Sequence, residues 1–216
     1  MSQDLKPRDI TDDSLRDQGL SSVGAGKTLV IACGALAREI LAIIDANGLE
    51  HLTLTCLPAI LHNTPHDIPK AVEDAVNKHK DDYDHILVAY GDCGTGGQLQ
   101  SVCARLGVEM IDSPHCYAFF DGTTQFLERG EVTSFFLTDF LARQFDAFVW
   151  KPLGLDRYPD LRDMYFGNYE TLVYLAQTDD PALVQTAKDC AARLGLKFDL
   201  RQTGYGELTG FLGKRA

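Results

Sequence analysis

Long apolar runs are missing from this chain of 216 residues. No stretch approaches the ~18–20 consecutive apolar residues that a bilayer crossing requires, and the opening MSQDLKPRDITDD has no apolar centre of the kind a secretion signal needs. No membrane role and a cytoplasmic location are the expectation. Positive charge is also scarce, with 20 Lys and Arg against 31 Asp and Glu and a net charge of −11. Non-specific nucleic-acid binding draws most of its affinity from cations that neutralise phosphates, so no nucleic-acid partner is expected. Low-complexity tracts and short solenoid periods are absent. A chain that is 45% apolar and 24% charged is an ordinary globular one. At this length it can bury roughly 70% of its unfolded surface without disulfides or a partner.

Two nucleotide-binding signatures are incomplete. Gly24-Ala25-Gly26-Lys27-Thr28 resembles a phosphate loop, but Ser21 stands where the first glycine belongs, and an apolar run, not a helix, follows the lysine. Gly91, Gly94, Gly96 and Gly97 form a glycine-rich loop whose spacing is not that of the dinucleotide fingerprint. Gly96 and Gly97 are kept as substrate-binding candidates, because N–H groups at a helix start can hold an anion.

Residues 1–26 are polar and rich in Asp, end in a Ser/Gly run, and are expected to form a flexible acidic arm. From Lys27 short apolar runs alternate with segments of helical period. KTLVIAC, HLTLTCL, HILVAYG, VEMID, DAFVWK, TLVYLA and LKFDLR look like strands, several of them apolar on both faces. LAREILAIIDANG, IPKAVEDAVNKHKDD, GGQLQSVCARLG and DPALVQTAKDCAARLG have helical stripes, the last with an Asp cap and Pro181 in its first turn. The alternation predicts one α/β domain over 27–216. Its sheet should be mainly parallel with helices on both faces, a Rossmann-like three-layer arrangement with the site at the carboxyl ends of the strands.

In a reducing compartment six cysteines are not a disulfide set. Cys56 falls within a strand, and Cys103 and Cys190 on the apolar sides of helices, which suits packing. Cys33, Cys93 and Cys116 each sit at or just past the carboxyl end of a different strand, so the fold can bring three thiols to one edge. Soft ligands of this kind select zinc, copper(I) or iron–sulfur clusters. A four-iron cluster on Cys33, Cys93 and Cys116 keeps one iron open to a small molecule, and a three-ligand zinc keeps one position open. A metal-free alternative makes Cys93 a nucleophile with His115 as base. His115 and Asp92 are the acid/base candidates. His62 and Asn63, beyond the second strand, and Arg157, in the charged run GLDRYPDLRDMYFGNYE, are candidates for holding substrate.

The segments IACGALAREI, LPAILHNTPHDIP, VAYGDCGTGG, SPHCYAFFDG and LGLDRYPDLRDMYFGNYETLVYLAQTDDP resemble the family known as domain of unknown function 1638, from about residue 28 to the C-terminus. Ala118 and LTDFL replace an acidic residue and a Thr-Pro-Gly-Trp turn of other members. The resemblance implies one-carbon metabolism of methylamines or betaines, because relatives occur beside corrinoid-dependent methyltransferases. A corrinoid protein or a methyltransferase is thus the implied partner. The enzyme classes that fit are an iron–sulfur lyase or reductase and a zinc-dependent methyltransferase, with a non-catalytic cofactor-delivery protein as the other class. Quinolinate synthase, with three strand-end cysteines on a cluster, is an analogy in logic only.

Overall fold

The computed structural model describes residues 10–214. Its described residues form two compact units, one made of those up to Cys116 together with those from Glu207 on, the other of Tyr117–Gly206. The single domain expected over 27–216 is therefore corrected to two units, each with its own sheet.

The first unit opens with α1 (Asp12–Asp17) and β1 (Leu20–Val23), followed by β2 (Thr28–Cys33), α2 (Ala37–Asn47), β3 (Leu52–Leu57), α3 (Ile68–His79), β4 (His85–Ala89), α4 (Gln98–Leu106) and the short β5 (Glu109–Met110). The strands lie in the order β1-β3-β2-β4-β5, all parallel except β1, which runs antiparallel to β3. Every residue of β2 is buried, as a central strand covered on both faces requires. From β2 the chain crosses through α2 to one side, then returns through α3 and α4 to the other. With right-handed crossovers this puts α2 on one face and α3 and α4 on the opposite one. The order reverses between β2 and β4, and a ligand crevice in such sheets lies outside the carboxyl ends at that reversal.

The expected arm is corrected as well. Residues 1–9 of it lie outside the described residues, but α1 and β1 are ordered elements. Thr11 caps α1 through Ser14, and Arg38 on α2 donates to the Asp12 carboxylate (2.9 Å) and the Ile10 carbonyl (2.6 Å). Ile10, Leu15 and Leu20 are buried. Three such side chains contribute about 1.5–3 kcal/mol each, enough to order a short polar segment that has no amphipathic period to reveal it.

The second unit runs through α5 (Ala118–Asp121), α6 (Thr123–Arg129), β6 (Ser134–Leu137), α7 (Asp139–Arg143), a π-helical turn (Asp146–Trp150), α8 (Leu161–Phe166), β7 (Thr171–Ala176), α9 (Pro181–Leu194) and β8 (Lys197–Gln202). Its sheet is parallel in the order β6-β7-β8. Leu137, Leu172, Tyr174 and Ala176 face a core shared with Phe145, Val149, Ala187 and Leu194, while Phe136, Val173 and Leu175 face Tyr117 and Phe126 on the other side. Asp139, only 1% exposed, locks β6 to β7. It accepts from the Tyr174 hydroxyl (2.7 Å), the Thr178 hydroxyl (2.6 Å) and the Gln177 N–H (3.0 Å). DAFVWK, expected as a strand, is the π-helical turn, and SFFL supplies the strand instead. A short apolar run has no period that separates strand from buried helix, and here it continues the winding of α7. The last helix, α10 (Glu207–Gly213), returns to the first unit and packs on α2.

The alternation of strands and helices, the mainly parallel sheets and the three layers make this an α/β, Rossmann-like fold. Among the described residues no helix is long and apolar enough to cross a membrane.

Candidate metal centre

Two loops at the carboxyl edge of the first sheet are joined backbone to backbone. Past β4 the chain reads Tyr90-Gly91-Asp92-Cys93, and past β5 Ser113-Pro114-His115-Cys116. The Asp92 N–H donates to the Ser113 carbonyl (2.8 Å) and the Cys93 N–H to the Pro114 carbonyl (3.0 Å). Glycine at 91 permits this approach. A Cβ there would lie 2.8 Å from the His115 carbonyl carbon and 2.9 Å from the Ser113 oxygen. Cys93 has φ +49°, a left-handed conformation that non-glycine residues seldom adopt. So placed, its Sγ lies 3.0 Å from that of Cys116.

The glycine-rich loop after Cys93 is folded around Asp92. Its carboxylate accepts from the Thr95 hydroxyl (2.7 Å), the Gly97 N–H (2.6 Å) and the Gly96 N–H (3.1 Å). Burial opposes the charge, but these bonds and one from Gly94 outweigh it and hold the Asp92 carboxyl below the usual carboxylate range. The N–H groups of Gly96 and Gly97 that resembled an anion cradle already serve the protein's own carboxylate, and Asp92 shapes the loop that presents Cys93.

His62 arrives from β3 on a 3-10 turn (Ala59–Asn63). Its Nδ1 lies 3.2 Å from the Ala59 carbonyl and 3.7 Å from Cys33 Sγ. Cys33, the last residue of β2, also accepts from the Ala35 N–H (3.4 Å). A ring carrying its proton on Nδ1 satisfies both acceptors and leaves Nε2 with a lone pair. The ring stacks on Tyr90, with centroids 6.3 Å apart and planes 11° from parallel.

Charge concentrates on this edge. The Cys116 thiol, followed by His62, holds Cys93 well below the ordinary thiol range against the effect of burial. The bond to Cys93, together with burial, pushes Cys116 well above it. The two sulfurs thus share one proton. Burial works against a charged His62, yet the neighbouring sulfurs of Cys33 and Cys93 raise it well above the usual imidazole value. Proton affinity is thus raised at His62 and lowered at Cys93, and a bound cation would compete with protons for these donors. His115, near Cys93, Asp92 and His62, is lowered, chiefly by burial, and is neutral at ordinary pH.

Among the described residues, His62, Cys93 and Cys116 offer donor atoms that all lie within 4.8 Å of one another, so these three could hold a metal ion. The strand-end placement expected of Cys93 and Cys116 brings them together. Cys33 stands beside His62 and is not a member of that close set. His62, expected on the substrate side, is. Asn63 is exposed at the end of its turn. Arg157 belongs to the second unit, where it is exposed, 3.8 Å from Asp156 and stacked over Tyr158. Cys56, Cys103 and Cys190 are buried, and burial pushes the Cys103 and Cys190 thiols up to about 11. Sequence reading passes over Tyr90, although its position between an apolar strand and Gly-Asp-Cys was a signal.

None of the curated proteins matches the chain. Among solved structures, ornithine carbamoyltransferase from Pyrococcus furiosus is similar over 81% of this chain, at 14% identity and a TM-score of 0.23. The chain spans about half the length of that enzyme, 54% of it being covered. The model of the family described as "Protein of unknown function (DUF1638)" matches residues 56–212, a span that includes His62, Cys93 and Cys116 and begins after Cys33. That match covers well over half of the sequence, and the chain belongs to the DUF1638 family.

Proposed function

We propose that this chain is a metalloprotein that holds a single zinc-type ion through His62, Cys93 and Cys116 and offers its remaining position to a small molecule. The spacing of the donors carries the reading: three donor atoms within 4.8 Å of one another, with the two sulfurs at 3.0 Å. Around a tetrahedral zinc, with Zn–S near 2.3 Å and Zn–N near 2.0 Å, neighbouring donors lie about 3.5–3.8 Å apart. The sulfur pair opens by less than about 1 Å once the ion takes the place of the shared proton. In a four-iron cluster each thiolate takes a different iron and points outward, so the sulfurs stand further apart than around one ion. The cluster on Cys33, Cys93 and Cys116 therefore fits this spacing less well.

Three protein ligands and one open position are the pattern of catalytic zinc, whereas structural zinc takes four. When bound, such an ion acts as a Lewis acid that keeps a water or thiol ligand deprotonated. Of the chain's own groups, an Nδ1–H of His62 shared between the Ala59 carbonyl and Cys33 would orient the ring, and His115, whose burial favours the neutral form, would be the base for a proton that such a ligand gave up. Thiol activation for methyl transfer, with a corrinoid protein or a methyltransferase as partner, belongs to this proposal through the family segments alone.

Metal analysis of anaerobically purified protein tests it. One zinc per chain is expected, lost in Cys93→Ser and Cys116→Ser and retained in Cys33→Ser. Iron with acid-labile sulfide and visible charge-transfer absorption overturns the single-ion reading in favour of the cluster. Loss of zinc from Cys33→Ser makes Cys33 a fourth ligand and the site a closed, structural one.

A further inference from the structure

We infer that Tyr90 is the recognition donor of this centre, and that the small molecule it admits presents an anionic oxygen, such as a carboxylate or hydroxamate, beside the metal. The inference rests on the metal reading above and adds the class of ligand.

Tyr90 is 0% exposed, and its hydroxyl has no hydrogen-bond partner. A buried phenol ordinarily finds one, because an O–H removed from water and left unmade is costly. If packing against His62 were its only task, phenylalanine would fill the same volume without that cost. The phenol is also placed at the donor cluster. Its ring stacks on His62, and the sulfurs of Cys33, Cys116, Cys56 and Cys93 all act on it electrostatically. Tyr90 stands three residues before Cys93 and next to Gly91, the point where the two cysteine loops close on each other.

An unspent O–H donor beside three metal-binding groups is complementary to a ligand that carries an acceptor atom. Among acceptors, one with negative charge gains most. The bond is charge-assisted, and an oxyanion is also what a Lewis-acidic ion binds. A neutral nitrogen ligand whose second nitrogen is a donor, such as imidazole, can take the metal position but offers no acceptor, least of all a charged one, to the Tyr90 O–H. The site should therefore rank ligands by whether they answer the phenol, as buried polar groups do when their partner is removed.

Cobalt(II) is the probe ion, titrated into wild type and Tyr90→Phe, each then titrated with acetohydroxamate and, separately, with imidazole. Both proteins are expected to show the thiolate-to-cobalt band with similar cobalt affinity. Tyr90→Phe should bind acetohydroxamate about ten- to a hundred-fold more weakly and imidazole as wild type does. Equal acetohydroxamate affinity in the two proteins overturns the inference and leaves the metal reading standing. Equal weakening of both ligands overturns it too, since Tyr90 then only shapes the site. Absence of the thiolate-to-cobalt band from wild type overturns the metal reading and this inference with it. If near-ultraviolet circular dichroism shows Tyr90→Phe unfolded, the wild-type difference spectrum on adding acetohydroxamate decides. A shift of the tyrosine band is expected, and its absence overturns the inference.

Discussion

Replacing Gly91 with alanine tests how the centre is assembled. The added Cβ meets the His115 carbonyl carbon at 2.8 Å, the Ser113 oxygen at 2.9 Å and the Cys116 nitrogen at 3.1 Å. All three are backbone atoms, so no side-chain rotation relieves the contact. To reach an ordinary separation of 3.4 Å, the 113–116 loop must retreat by about 0.6 Å. That strains or breaks the bonds from Asp92 to Ser113 and from Cys93 to Pro114, at about 0.5–1.5 kcal/mol each, for a total of about 1–3 kcal/mol. For a chain of this size the melting temperature falls by roughly 2–4 °C per kcal/mol, so the expected drop is about 2–12 °C. A shift of this size also exceeds the ~0.5 Å within which a constellation of ligands must be held, so cobalt affinity should fall by about tenfold or more. Gly107→Ala is the control. It sits at φ +69° with nothing within 4 Å, and should cost about 1 kcal/mol through backbone strain while leaving cobalt binding alone. Thermal unfolding and cobalt titration of the two variants supply the measurements. If Gly91→Ala melts and binds cobalt like wild type, the joined loops are not what positions Cys93 against Cys116.

Cys33→Ser should keep one metal per chain but bind it about 10–100-fold more weakly, because it changes one of the two acceptors that orient His62; competition with a chelator measures this, and an unchanged affinity would place Cys33 outside the centre. Asp92→Asn should flatten the acid limb of the stability curve. The carboxyl is lowered in the folded state, so its contribution is present above the unfolded value and is lost as pH falls through the folded value. Denaturant melts across the acid range show this, and parallel curves for the two proteins contradict it. Asp139→Ala strands two buried donors in the second unit, the Tyr174 hydroxyl and the Gln177 N–H, and frees the Thr178 hydroxyl; it should destabilise by on the order of 3 kcal/mol, read by urea melts, with the metal content of the folded protein unchanged.

Elements with a strong period were legible from sequence. β2, β3, β4, β7 and β8 appear as apolar runs, and α2, α3, α4 and α9 as stripes with Asp or Gly at their ends. The exchange between DAFVWK and SFFL was not, because each is too short for periodicity to act on and tertiary packing decides. The second unit escaped for a related reason. Its strands have the same βα rhythm as the first, and strand pairing, not rhythm, separates one sheet from two. At the centre, Cys93 and Cys116 were legible because strand ends converge in any parallel sheet. The exchange of Cys33 for His62 was not, since it depends on the Ala59–Asn63 turn and on which side of the imidazole Cys33 occupies. The bonds from Gly96 and Gly97 to Asp92 were not legible either, because an N–H cradle serves an internal carboxylate as readily as a phosphate.

The antiparallel β1 has a protective consequence. It pairs with β3, whose LTLTCL would otherwise offer a row of free backbone donors and acceptors along an apolar outermost ribbon, a template for edge-to-edge aggregation. A protein begun at Lys27 would keep His62, Cys93 and Cys116 and uncover that template, so its failure would show as light scattering and fibrous precipitate; it would also lose α1, which packs on the Ala59–Asn63 turn that carries His62. β1 thus acts as a guard for the sheet, and its pairing with β3 decides whether neighbouring copies remain apart.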